Sequence, residues 1–118
     1  MDVDHMCGTQ FEEFVVKLLE WSGYLVERHS DLGADIIAIN GNKKIAFQAK
    51  RHKSNIGVAA IQEVYSGSKY YDCSHAVVIT NSGFTPKAVQ MARKLNVQLI
   101  GRDELVIILR TGKIISND

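Results

Sequence analysis

Two short apolar runs, Ile36–Ile39 and Ile45–Phe47, flank Asn40-Gly41-Asn42, and no other stretch constrains the fold of this chain as strongly. Asn-Gly between alternating hydrophobics is the strongest local signal for a β-hairpin. The outer ends of the two runs are polar: Asp35 before the first, Gln48 and Lys50 after the second. Side chains alternate faces along a strand, so Gln48 and Lys50 share one face and Ala49 takes the other. A turn of two or four residues leaves Asp35 on the face of Gln48, opposite or diagonal to it, whereas a three-residue loop puts it on the wrong side. With the even turn a carboxylate, an amide oxygen and an ammonium converge within about 5–8 Å, the reach of cross-strand neighbours. That set of groups suits a cation together with a phosphate. An ordinary Asp35–Lys50 cross-strand pair on a wet face is the alternative, and such pairs contribute little. The surrounding isoleucines and Phe47 make these strands too apolar for a wet sheet, and buried polar groups need partners, of which a metal is one.

The distribution of charge points the same way. Residues 1–35 carry eight acids (Asp2, Asp4, Glu12, Glu13, Glu20, Glu27, Asp31 and Asp35) against Lys17 and Arg28. From Ile36 to Gln62 there is no acid, against Lys43, Lys44, Lys50, Arg51 and Lys53. A basic cluster beside an acidic one fits a site where carboxylates hold a divalent ion and cations hold a polyanion. Lys43 and Lys44, at the hairpin tip, fit a solvated face equally well.

The 118 residues form one domain with enough chain for a core, and no apolar run approaches a membrane span. With no signal peptide, and with Cys7 and Cys73 in no disulfide or metal spacing, the reading is a cytoplasmic, reducing compartment.

Taken in order, Phe11, Phe14, Val15, Leu18 and Leu19 mark the buried face of an opening helix, with Thr9 as N-cap, Glu12 completing a capping box and Gly23 ending it. Glu12 lies at the edge of the apolar stripe, so it can reach the rim of the core; Glu13 points to water. Tyr24–Arg28 reads as a strand, His29–Gly33 as a turn with Asp31 a turn former or a further acid, and the hairpin follows. A second helix spans about Gly57–Tyr71, with Gln62 and Lys69 open to a ligand or to solvent. His75–Thr80 is continuously apolar, as in a strand covered on both faces. Thr85-Pro86 starts a third helix that stops at Asn96, Val97–Ile100 is the last strand, and Asp103 caps a short final helix carrying Leu105, Ile108 and Leu109. Residues 110–118 read as a loose tail. The element order gives an α/β fold, a mixed sheet flanked by helices with the polar trio at one edge.

Gly8-x-x-Phe11-Glu12, then Asp31-x-Gly33-x-Asp35-Ile36-Ile37, then Gln48-Ala49-Lys50-Arg51 resemble the successive motifs of the Mrr-type restriction endonuclease domain of the PD-(D/E)xK nuclease superfamily. Val78-Ile79-Thr80-Asn81-x-x-Phe84-Thr85-x-x-Ala88 and Leu99-Ile100-x-x-x-Glu104-Leu105 continue the match, so it covers nearly the whole chain. The resemblance implies a restriction-endonuclease-like mixed β-sheet and Mg²⁺-dependent hydrolysis of DNA phosphodiesters, with Mn²⁺ able to substitute. Asp35 then matches the metal-ligating acid, Gln48 the second ligand position, Lys50 the signature lysine and Glu12 the helix-borne acid. The Ala49 carbonyl is a further candidate ligand. The sequence departs from the superfamily pattern at Gln48, where Asp or Glu usually stands, and at Ala34 in place of Pro. An amide oxygen is a weaker Mg²⁺ ligand than a carboxylate, so Glu12 would have to compensate, for instance through a water.

Phosphodiester attack needs charge neutralisation, an oriented hydroxide and a stabilised leaving oxygen. On this reading Lys50 orients the water, while Arg51, His52, Lys53 and Gln62 contact the DNA backbone without reading sequence. Restriction or defence is the leading role. A Holliday-junction resolvase, and a non-catalytic DNA-binding or interaction module that kept the fold, are the alternatives. A homodimer and a separate recognition domain or subunit are compatible with all three.

Overall fold

The hairpin forms as the Asn-Gly signal requires. In the computed structural model, which describes residues 2–29, 33–112 and 114, strand β2 (Ile36–Asn40) pairs antiparallel with β3 (Lys43–Lys50), and Asn40 faces Lys43. Gly41 and Asn42 are therefore a two-residue turn, and Gly41 supplies the positive φ, +61°, that such turns demand. The even turn is the case that keeps Asp35 on the face of Gln48.

Around the hairpin the chain builds one five-stranded sheet in sequential order. β1 (Leu25–Arg28) pairs antiparallel with β2. β4 (His75–Thr80) and β5 (Val97–Ile100) are added in parallel, each reached through a helix, α2 (Val58–Tyr70) and α3 (Pro86–Leu95). Helices α1 (Gly8–Trp21) and α4 (Arg102–Thr111) cover the opposite face. The period-two pattern of the hairpin sorts its residues between these layers. Ile36, Ala38, Ile45 and Phe47 pack with Phe11, Val15 and Leu19 of α1 and Leu105 and Ile108 of α4. Ile37 and Ala46 pack with Ile61 and Val64 of α2 and Ala88 and Ala92 of α3. Each large side chain buried here contributes roughly 1.5–3 kcal/mol, so this alternation fixes the register. Because β2 and β3 are interior strands, the polar trio lies at the strand ends in the middle of the sheet, not along its lateral edge.

Helix boundaries follow the expected chemistry at α3: Thr85 Oγ1 accepts the Ala88 N–H at 3.1 Å, Pro86 opens the helix and Asn96 ends it at φ +58°. Two caps differ from expectation. The N-cap of α1 is Cys7, whose N–H donates to Gln10 Oε1 at 2.9 Å, so Gln10 does the capping in place of Thr9 and Glu12. Glu12 is thereby free for another role. At α4 the cap is Gly101, with its N–H donating to Glu104 Oε1 at 2.8 Å, and Asp103 lies inside the first turn. The first part of the stretch expected to be a loose tail is ordered, and Lys113 and residues 115–118 lie outside the described residues. Arg110 and Thr111 complete α4, Ser22 Oγ donates to the Gly112 carbonyl at 2.9 Å, and Ile114 is buried. Among the described residues no helix is long and apolar enough to cross a membrane.

Candidate active site

Continuing the β2–β3 register one residue beyond the Ile36–Phe47 pair sets Asp35 opposite Gln48, with Lys50 on the diagonal. Asp35 lies just before the start of β2, where α1 approaches from one face of the sheet and α2 from the other. Its surroundings push the carboxyl above the usual carboxylate range. Burial is the main cause and the charge of Glu12 the next; a hydrogen bond from the Ala49 backbone and the charge of Lys50 act against them, and Glu63 adds to the rise.

Gln48 is 3% exposed. Its Nε2 donates to Glu63 Oε2 at 2.9 Å, which fixes the amide and turns Oε1 the other way. That Oε1 is buried and, among the described residues, has no hydrogen-bond partner. Lys50 Nζ stands 3.8 Å from the same Glu63 oxygen. One carboxylate on α2 thus holds both Gln48 and Lys50 of β3.

Glu63 was not among the expected residues; its neighbour Gln62 was, and Gln62 is an exposed residue of α2 on the rim of the same cleft. A signal was present, since the acid-free run that starts at Ile36 ends at Glu63. The contact depends on Gly33. This residue has φ +83°, and a Cβ there would lie 2.0 Å from the Glu63 carbonyl oxygen, so only glycine lets the segment leading to Asp35 rest on α2. Gly33, Gln62, Glu63, Ser66 and Tyr70 line an open cleft of about 400 Å³.

Glu12 is half-buried at the core rim, as its place on the helix implies, and Glu13 is exposed. The Glu12 carboxylate accepts Arg28 Nη2 at 3.1 Å and Nε at 3.2 Å, so it reaches Asp35 through its field while its direct partner is on β1. His29 stacks on Tyr71 with ring centroids 4.5 Å apart, and its N–H donates to the Asp35 carbonyl at 2.8 Å; it is a packing residue. Asp31 lies outside the described residues. Among the described residues no three His, Cys, Asp or Glu side chains close on one point. The register sets the Asp35 carboxylate across from Gln48, whose Oε1 lacks a partner among the described residues; both are oxygen donors of the hard type that Mg²⁺ and Mn²⁺ prefer. Arg51, His52 and Lys53 line a second cleft beyond the end of β3.

Sheet order, helical layers and the polar set at the ends of β2 and β3 define a restriction-endonuclease-like α/β fold. The family model described as restriction endonuclease, the Mrr catalytic domain, matches residues 3–109, and the chain belongs to that family of nucleases. Solved structures share the fold. The DNA modification-dependent restriction endonuclease AspBHI matches with a TM-score of 0.66 at 19% identity, over 86% of this chain and 30% of its own. A protein of unknown function, AF1548, matches with a TM-score of 0.65 at 19% identity, over 75% of this chain and 54% of its own, so the chain spans about half of that protein. Hjc, a Holliday junction resolvase of Archaeoglobus fulgidus, matches with a TM-score of 0.53 at 22% identity, over 63% of each chain. No curated protein sequence matches the chain.

Proposed function

We propose that this domain is a divalent-metal-dependent endonuclease that hydrolyses DNA phosphodiester bonds, serving restriction. The observation that carries the reading is the buried, unpartnered Gln48 Oε1 set across from a carboxylate that its surroundings keep reluctant to ionise. Both features are costly without a cation, and a cation removes both costs. Asp35 and Gln48 Oε1 would hold Mg²⁺, with Mn²⁺ as substitute, the Ala49 carbonyl as a further donor and Glu12 reaching it through water. Bound there, the ion would supply Lewis-acid charge neutralisation at a phosphate oxygen and lower the pKa of water.

The remaining work falls to the protein. Lys50, steadied by Glu63, orients the attacking water and offsets charge that develops on the phosphate. Arg51, His52 and Lys53 bind flanking phosphates, and Gln62 borders the approach. These contacts position DNA without reading its sequence, so a recognition segment or subunit supplies specificity, and two copies cut both strands. The likeness to Hjc over equal shares of both chains favours a four-way junction as the second substrate.

The test is cleavage of plasmid, methylated duplex, single strand and four-way junction with Mg²⁺ or Mn²⁺, and with EDTA as control. Cleavage should require metal and disappear in Asp35→Asn and Lys50→Ala. In a parallel melt, Ca²⁺ should raise the Tm of the wild type and leave Asp35→Asn unmoved. Absence of cleavage on every substrate, with no metal-dependent Tm shift, would make this a non-catalytic module.

A further inference from the structure

β3 and β4 run parallel and finish side by side, at Lys50 and Thr80. The residues that continue them, Arg51-His52-Lys53 and Asn81-Ser82, join Arg102 from the first turn of α4 to line a cleft of about 390 Å³. Among the described residues the one acid in its lining is Asp4, from the short 3₁₀ turn over Asp2–His5. Asn81 is 5% exposed and its amide is fixed at both ends: Oδ1 accepts the His52 N–H at 2.8 Å, and Nδ2 donates to Asp4 Oδ1 at 3.0 Å. Arg102 Nη1 donates to the same Asp4 oxygen at 2.8 Å and to the Asn81 carbonyl at 3.3 Å. Arg51 Nη2 donates to the Asp4 carbonyl, while Arg51 Nε is buried and, among the described residues, has no hydrogen-bond partner. A single carboxylate oxygen therefore collects a guanidinium and an amide donor in a cleft whose other charges are positive. A phosphate oxygen takes the same donors.

We infer that this cleft is a subsite for a backbone phosphate of DNA, and that Asp4 occupies it as an intramolecular substitute that DNA displaces. The inference rests on the nuclease reading, since Arg51, which lines the cleft, follows Lys50 directly in the chain. Asp4 and Arg102 side chains are 44% and 46% exposed, and an ion pair this open is weak and readily exchanged. A phosphodiester carries the same single negative charge as Asp4. Its two non-bridging oxygens can take over the Arg102 and Asn81 donors and also satisfy Arg51 Nε. The N-terminal turn then acts as a plug that suppresses weak binding of other polyanions.

The experiment is an anisotropy titration of a short labelled duplex in EDTA at several salt concentrations, so that binding is read without cleavage. Asp4→Asn keeps the shape and removes the competing charge; it should tighten binding about fivefold. Arg102→Gln should weaken it about tenfold and lower the salt slope by about one. Glu13→Gln and Lys17→Gln, on the exposed side of α1, make the same changes in net charge and should stay within about twofold of wild type. Thermal melts check that each variant folds, and if Asp4→Asn does not, Arg102→Gln decides alone. The assignment is overturned if Asp4→Asn binds no tighter than Glu13→Gln, or Arg102→Gln no more weakly than Lys17→Gln. It is also overturned if inorganic phosphate shifts the Asn81 side-chain NMR signals without competing with duplex, which would make the ligand a free anion. A wild type that binds DNA and responds to both substitutions but never cleaves sinks the nuclease reading alone. One that cleaves, with affinity unmoved by either, sinks the subsite alone.

Discussion

Glu63→Ala separates what the α2 carboxylate does for stability from what it does for chemistry. The substitution strips Gln48 Nε2 of its acceptor at 2.9 Å, and Gln48 is 3% exposed with its Oε1 already unpartnered. Both ends of a buried amide are then unsatisfied, which costs about 1–3 kcal/mol. The lost Lys50 ion pair adds little, because it spans 3.8 Å between side chains that are 37% and 48% exposed; such pairs contribute less than about 1 kcal/mol. The amide dominates. At this chain length each kcal/mol moves Tm by about 4 °C, so a loss of about 4–12 °C is expected.

Cleavage should fall by about a hundredfold, since a freed amide can turn its NH₂ toward Asp35 and Lys50 loses its anchor. The double variant Gln48→Met/Glu63→Ala then tells the two effects apart. Replacing both partners by apolar groups is nearly neutral for folding, so Tm should return toward wild type while cleavage stays lost. Urea unfolding and plasmid nicking read the two quantities. If Glu63→Ala unfolds within about 0.5 kcal/mol of wild type and nicks at the wild-type rate, the reasoning fails.

Two other outcomes follow from the packing around these residues. Gly33→Ala combines a left-handed backbone, worth about 1–2 kcal/mol against a non-glycine residue, with a Cβ only 2.0 Å from the Glu63 carbonyl. A destabilisation of about 3 kcal/mol or more is expected in urea melts, and one under about 1 kcal/mol would mean that this turn does not rest on α2. Asp4 is held below the ordinary value of 3.8, mainly by hydrogen bonds from Arg102 and Asn81. A depressed folded-state value means stability that is present above that ordinary value and lost as pH falls through the lowered one. The stability gap between wild type and Asp4→Asn should therefore close in acid, and a gap that widens there refutes the assignment.

The parts of the site legible in the sequence are those fixed by local arithmetic. Turn parity and strand alternation sufficed to put Asp35, Gln48 and Lys50 on one face, because one buried side chain out of register would expose the whole apolar set. The order of elements was legible for the same reason: apolar periodicity and the Thr85-Pro86 cap are written in neighbouring residues. What escaped was set by packing between distant segments. Glu63 matters because α2 crosses over β3 and Gly33 lets the two meet, and Asp4 matters because the N-terminal turn reaches Asn81 and Arg102. The cap of α1 was misplaced because Gln10 and Glu12 are both competent cappers, and propensity alone does not choose between them.

That misplaced cap bears on the chemistry, because it determines which acids face Asp35. With Gln10 at the cap, Glu12 is available to Arg28 on one side of the sheet, and Glu63 is held by Gln48 and Lys50 on the other. Each outer acid has its own cation, whereas Asp35, among the described residues, has no ion pair and relies on the Ala49 backbone. Burial is the main reason its carboxyl is raised, the charges of Glu12 and Glu63 add to it, and the nearby Lys50 offsets only part of the rise. A neutral glutamine at position 48 fits that balance: a carboxylate there would meet Glu63 at hydrogen-bond distance and push Asp35 higher still. The departure from the superfamily pattern and the acid on α2 are thus one arrangement, and Gln48→Glu should destabilise the metal-free protein unless Glu63 is neutralised with it.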